Sequence, residues 1–552
     1  MSLPRRLLAT LALCLTTALP SLAKDELVVG MIQYPSTWNP LTGSMLAKSV
    51  IQNMTARPLT AWDPDWKLVC MLCVDLPTLE NGKARPVELE GGKRGVAIAF
   101  TLKPDLFWGD GKPVTSRDVA FTVEVGKHPQ SGAVAAEAFR RILRVEIADE
   151  RTFTLVVDRL SYDYNDTGLW LLPEHVERPV FEANPAEYRT RTRYDADTTS
   201  LALYNGPFRI AQTTPGASIV LERNPAWRGQ QPAFRKITVK VIENTAALEA
   251  NLLSGSIDYA MGELGLSLEQ ALAFEKRHAA KYDFVYKPGL IHEHIDVNLD
   301  NPLLQDRRVR QALLLGIDRN AISTRLFEGK QAVAHSGVNP LDPMYVEPTR
   351  TYPYDPAAAR ALLDAAGFVV GAGGMRANAK GERLSIELGT TAGNRSREQI
   401  QQVLQSQWRQ IGIDVRLKAE PPRVFFGETM NKRAFTGLAL YAWVSRPGGV
   451  PRTTYHGDQI PSAANAFSGQ NYPGYRDAAV DKLLDAMEAA LDPAKRRAMF
   501  AELQGKLAED LPVLPLFFRT DPFILPKALK GVRPTGHLNT STLWIEQWRW
   551  AP

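Results

Sequence analysis

Cysteine is scarce in this chain: three occur in 552 residues, and Cys14 lies in an N-terminal stretch that reads as removable. The remaining two, Cys70 and Cys73, are too few for a disulfide framework and lack the second ligand pair of a zinc knuckle. Pro77 follows closely and disfavours the regular helix that a thioredoxin-like C-x-x-C site would open. A local structural pair, bridged or reduced, is the expectation. G-x-S-x-G, H-E-x-x-H and a Walker loop are all absent, and the cluster Gly371 to Gly374 does not match dinucleotide spacing. No fixed-period repeat supports a solenoid or propeller. The 65 Lys and Arg against 60 Asp and Glu form no basic tract, so nothing argues for nucleic acid. Beyond the N-terminus no segment offers the roughly 20 apolar residues of a membrane span. These absences point away from an enzyme and toward a soluble protein that uses no cofactor and no metal.

At the N-terminus, Arg5 and Arg6 precede the apolar stretch Leu7 to Leu15, and Ser21-Leu22-Ala23 follows as a small-x-small pattern. That is a secretory signal peptide, with cleavage after Ala23 and a periplasmic destination. Leu13 before Cys14 does not suit lipid anchoring. Losing residues 1–23 removes two arginines and no acid, so the formal charge falls from +5 to +3. Roughly 530 residues then remain, more than one hydrophobic core usually holds, so two or three lobes are expected.

Strand and helix patterns alternate irregularly, as in mixed α/β lobes. Leu27 to Met31, Val96 to Leu102 and Thr152 to Val157 read as strands. Asp118 to Val125, Thr245 to Leu253, Arg307 to Phe327, Pro356 to Ala366, Arg397 to Ile411 and Asp477 to Ala490 read as helices. Asp355-Pro356 supplies a capping acid and a first-turn proline, and Gly367 a stop. Asp110-Gly111 is a tight-turn dipeptide, and Thr115 or Ser116 can cap a helix whose first turn carries Asp118. Gly371 to Gly381 reads as a surface hairpin or loop.

The segment Phe100 to Glu124 closely resembles the signature of the family-5 extracellular solute-binding proteins: a strand, an aromatic-x-D-G turn, a proline step and a helix opening at x-D-V. Four further stretches resemble the same family in the same order. They are Asn205 to Phe208 with Glu222 to Trp227, Ser254 to Asp258, Val297-Asn298 with Asp306 to Arg319, and Asp355 to Phe368. Taken singly, Arg308, Arg310 and Arg319 with Asp306 and Asp318 are expected to be salt-bridged helix faces rather than ligand contacts.

The resemblance implies an α/β, two-lobed periplasmic binding protein with an additional third domain, of the large peptide-binding, class II-like type. The first lobe would comprise 24–68, 200–290 and 517–552, the extra domain 69–199, and the second lobe 291–516. The implied partners are a peptide or small-molecule ligand and an inner-membrane ABC permease and ATPase complex, with the receptor itself a monomer. In peptide-binding members the ligand lies as an extra strand between two segments, which correspond here to Tyr34 to Trp38 and Leu440 to Arg446. Tyr34, Trp38, Tyr441, Trp443, Ser445 and Arg446 are therefore the candidate ligand residues. The family's ammonium-binding aspartate, three residues after the tryptophan, is replaced by Arg446. Three readings stay open: another acid anchors the ligand, the ligand is anionic or not a free peptide, or Pro447-Gly448-Gly449 shifts the register. His292-Glu293-His294, with both histidines on one face of a strand, keeps a metal-complex receptor in view, and an exported enzyme is the alternative from another class.

Overall fold

The computed structural model describes residues 24–551 and contains three larger sheets. The predicted signal peptide lies outside the described residues. A five-stranded sheet is ordered Tyr259–Ala260, Glu26–Met31, Lys236–Val241, Ser218–Arg223, Phe208–Thr214. A four-stranded antiparallel sheet is ordered Ala84–Glu88, Arg94–Thr101, Thr152–Val157, Ile142–Ile147. The six-stranded sheet runs Ala332–Val333, Val513–Pro526, Tyr282–Val297, Leu438–Val444, Ser385–Thr391, Asp414–Glu420. The result is a two-lobed α/β fold with a third domain.

Two strands of this last sheet are long, Tyr282–Val297 with 16 residues and Val513–Pro526 with 14. They pair antiparallel, but their register is interrupted between Pro288 and His292. On one side of the interruption Phe284 and Ile524 pack with Leu248 and Leu252. On the other, Ile295, Leu514 and Leu516 belong to the core around Trp408 and Leu313. The same pair of strands thus serves two cores, and the break falls between them. Gly289 sits at the break, where a Cβ would lie 2.6 Å from the Gly536 carbonyl oxygen.

Local signals account for most of the helices. Thr115 and Asp118 form a capping box, in which Thr115 N–H donates to Asp118 Oδ2 at 2.7 Å. Asp110 Oδ1 accepts the Lys112 N–H, and Gly111 takes a φ of 86° that only glycine adopts without strain. Asp355 accepts N–H bonds from Ala357 and Ala358, with Pro356 in the first turn of the helix Pro356–Ala365. Val369–Val370 pairs with Arg376–Ala377 as the hairpin foreseen near Gly371.

Arg307 to Phe327 is not one helix. It divides into Arg307–Leu315 and Arg319–Phe327, because Asp318 caps a new start by accepting the Ala321 N–H. Arg308 does pair with Asp306. Arg310 and Arg319 are not salt-bridged, however: Arg310 donates to the carbonyls of Leu304, Gln305 and Asp510, and Arg319 to those of Ala334, Pro515 and Tyr352. Both are buried and spend their donors on backbone carbonyls instead of carboxylates. Cys70 and Cys73 are joined by a disulfide. Among the described residues no helix is long and apolar enough to cross a membrane.

Candidate ligand-binding site

A cavity of about 610 Å³ opens where the three sheet-bearing units meet, within the size range of small-molecule and cofactor sites. One wall is the strand Leu438–Val444. Its residues Tyr441 to Val444 pair with Ile291 to His294 on one side. On the other side, Ser385–Thr391 stays paired only as far as Thr390 opposite Leu440. The chain then turns away through Ala392 to Asn394, so Ala442, Trp443 and Val444 line the cavity with one backbone edge lacking a strand partner. Such an edge is a template for an added strand.

Just past this edge, the Arg446 guanidinium reaches two carboxylates from the unit that carries the four-stranded sheet, those of Asp163 and Asp166. Asp166 also accepts the Trp62 Nε1–H at 2.9 Å. Burial opposes ionisation on both sides of the Arg446–Asp163 pair. Arg446 nevertheless holds the Asp163 carboxyl below the usual carboxylate range, and the neighbouring Tyr162 and the two aspartates hold Arg446 protonated. Two carboxylates against one guanidinium leave this group with one surplus negative charge.

The other charged groups at the cavity are mostly compensated. Arg397 binds the buried Glu293 through Nε and Nη2, at 2.7 and 3.3 Å, and Arg519 pairs with Asp521 at 2.8 Å. Lys48 donates to the carbonyls of Thr42, Pro40 and Asn39, and burial lowers its pKa to about 7. Burial raises the Glu263 carboxyl, whose Oε1 accepts the Ser541 N–H at 2.7 Å.

The structure separates the predicted contact residues. Trp443 and Arg446 line the cavity, and Ser445 lines a smaller pocket beside it. Tyr441 is fully buried, with its hydroxyl on Asp296 Oδ2 at 2.5 Å. Tyr34 and Trp38 do not line the cavity. They pack edge to face at 5.6 Å, and the Trp38 N–H is taken by Asp195. The corresponding wall is formed instead by Ile32, Gln33 and the helix Leu46–Thr55. His292 and His294 do share a face, with rings stacked at 5.1 Å. Among the described residues, no group of three or more His, Cys, Asp or Glu is placed to hold a metal ion. Asp163, Asp166 and Lys48 were not legible as site residues, because nothing local ties them to a strand edge nearly 300 positions away for the aspartates and nearly 400 for the lysine.

Residues 93–460 match the model of the bacterial extracellular solute-binding proteins, family 5 middle region. The chain belongs to family 5. Members of this family are the solute-binding components of ABC transporters, not enzymes, and act outside the cytoplasm. The oligopeptide-binding protein AppA of Bacillus subtilis is 26% identical over 534 residues, covering 95% of this chain and 91% of its own length. A putative ABC transporter peptide-binding protein of Brucella ovis is 27% identical over 447 residues, covering 77% of this chain and 78% of its own. The structure of an oligopeptide-binding protein of Thermus thermophilus, solved with a pentapeptide, superposes with a TM-score of 0.87 at 29% identity, covering 96% of both chains.

Proposed function

We propose that this protein binds an oligopeptide or peptide-like solute between its lobes and delivers it to the permease of an ABC importer. The observation that carries the reading is the unpaired edge Ala442 to Val444 inside a cavity of about 610 Å³. An extended ligand backbone can complete that edge with main-chain hydrogen bonds, which gives affinity with little dependence on side chains. The surplus negative charge of Asp163, Asp166 and Arg446 then receives the ligand's ammonium. Here an acid pair from another unit, held by the arginine, stands in for the family's single aspartate. The Thermus relative bound to a pentapeptide supports this reading.

Closure turns on the interrupted register between Pro288 and His292, where few interstrand bonds resist bending. Residues 24–68, 200–290 and 517–552 act as the first lobe, 69–199 as the extra domain and 291–516 as the second lobe. The receptor works as a monomer in the periplasm after cleavage behind Ala23.

Thermal unfolding of residues 24–552 tests the reading. A ligand at 100 times its dissociation constant adds about 2.7 kcal/mol, so peptides of three to nine residues should raise the midpoint while single amino acids and sugars do not. Stabilisation only by phosphorylated solutes or nickel complexes would overturn it.

A further inference from the structure

Beside the main cavity lies a second pocket of about 250 Å³, and the two share Trp443, Val444, Arg446, Gln470 and Leu538 as walls. Its lining is largely apolar, with Phe500, Leu503 and Leu507 from the helix Pro493–Asp510 and Phe518 from a long strand. Most of its polar groups are already used. Asp342 accepts the N–H groups of Met344 and Gly448, Ser336 donates to Gln504, and Asn339 donates to the Gly289 carbonyl. Arg446 is held by Asp163 and Asp166.

His292 and His335 are exceptions. His292 is only 7% exposed, and its Nε2 has no hydrogen-bond partner; neither has Nδ1 of His335. Burial, reinforced by His294 for one and by Arg319 for the other, pushes both imidazoles toward the neutral form. Tyr455 presents its hydroxyl to the same space: a Cβ built on Gly337 would stand 3.7 Å from Tyr455 Oη and 3.8 Å from His292 Nδ1. Buried polar groups left unpaired in an apolar pocket need an explanation, and a ligand group that is apolar in body and carries one neutral donor–acceptor provides it.

We infer that this pocket is a side-chain subsite for a large uncharged ligand residue, a phenol above all, with His292, His335 and Tyr455 reading its hydroxyl. The inference rests on the proposed peptide ligand. A glutamate side chain would enter without a counter-charge, since Arg446 is already held by two carboxylates, and so would be rejected. An aromatic residue would bury its ring against Phe500 and Phe518. Gly337 does not line the larger cavity, and its backbone lies outside the left-handed region, so a side chain there fills the pocket without straining the chain.

The test is calorimetry on residues 24–552 with tetra-alanine and its variants carrying Tyr, Phe or Glu at each position in turn. One position should exist at which Tyr binds at least about tenfold tighter than Ala, the scale of burying one large apolar side chain, and at which Glu binds worse than Ala. Gly337→Val should abolish the gain while tetra-alanine binds as before, and Tyr455→Phe should leave Tyr no better than Phe. No gain from Tyr at any position, or a gain that survives Gly337→Val, overturns the subsite. If no peptide binds at all, the peptide reading fails, and p-cresol decides the pocket separately. Saturation-transfer NMR should then show p-cresol contacts in the native protein that Gly337→Val removes, and their absence overturns the inference.

Discussion

Arg446 donates to the carboxylate of Asp163, a residue 283 positions earlier in the chain. The bond joins the loop after the strand Leu438–Val444 to the unit built on the four-stranded sheet, at the rim of the cavity. Because the group retains some solvent contact, with the Arg446 side chain 28% exposed, its strength lies between surface and buried pairs. Arg446→Ala should lower unfolding free energy by about 1–2 kcal/mol, read from urea titration.

The Glu293–Arg397 pair is more deeply enclosed, with side chains 4% and 7% exposed. Burial alone would raise the Glu293 carboxyl, yet Arg397 and Arg519 hold it below its ordinary value. Arg397→Met would leave that carboxylate without its main partner and should destabilise by about 3–5 kcal/mol. The double variant Glu293→Gln with Arg397→Met should recover much of the loss. Equal losses in the single and double variants would show that packing of Arg397, rather than charge, is what matters.

His537 gives the fold an acid sensitivity. Its Nε2–H donates to the Asp63 carbonyl at 2.9 Å, while Nδ1 accepts the Asn539 N–H, an arrangement only the neutral ring can make. Burial lowers its pKa to about 4. Below the unfolded value of about 6.5 the unfolded chain binds the proton and the folded one does not, so stability falls as pH drops from 6.5 toward 4. The contribution lost is at most about 3 kcal/mol. His537→Asn should flatten the pH dependence of the unfolding midpoint over that interval.

Local order was legible where a few neighbouring residues decide it. The capping pair Thr115 and Asp118, the Asp355-Pro356 start and the Asp110-Gly111 turn each read correctly because both partners lie within one turn of chain. The helix expected over Arg307 to Phe327 failed at Asp318, where a side chain favouring a cap outweighed continuing apolar periodicity. At the site, Trp443 and Arg446 stood out by family pattern; Trp443 reaches the cavity from the end of the strand Leu438–Val444 and Arg446 from the loop that follows it. The partners of Arg446 did not, since pairing with Asp163 and Asp166 depends on how separate units dock. Tyr34 and Trp38 illustrate the reverse: adjacent to a correctly placed strand, they turn into packing contacts once Asp195 fixes the Trp38 backbone.

The Cys70–Cys73 bridge closes a loop of sequence separation 3, so its effect on the unfolded chain is small. Reduction should lower stability by about 2 kcal/mol on the chain-entropy estimate and leave ligand affinity unchanged, since neither cysteine lines the cavity. Urea titration with and without reductant, followed by ligand calorimetry, checks both parts.

The central claim is that a peptide's ammonium meets the surplus charge of Asp163, Asp166 and Arg446 at the end of the Ala442 to Val444 edge. Calorimetry of one binding tetrapeptide against its N-acetyl form, on the native protein and on Asp163→Asn, tests it most directly. The account predicts that acetylation weakens binding to the native protein by at least about tenfold, near 1.4 kcal/mol, and that Asp163→Asn closes most of that gap. Equal or tighter binding of the acetylated peptide to the native protein would contradict it.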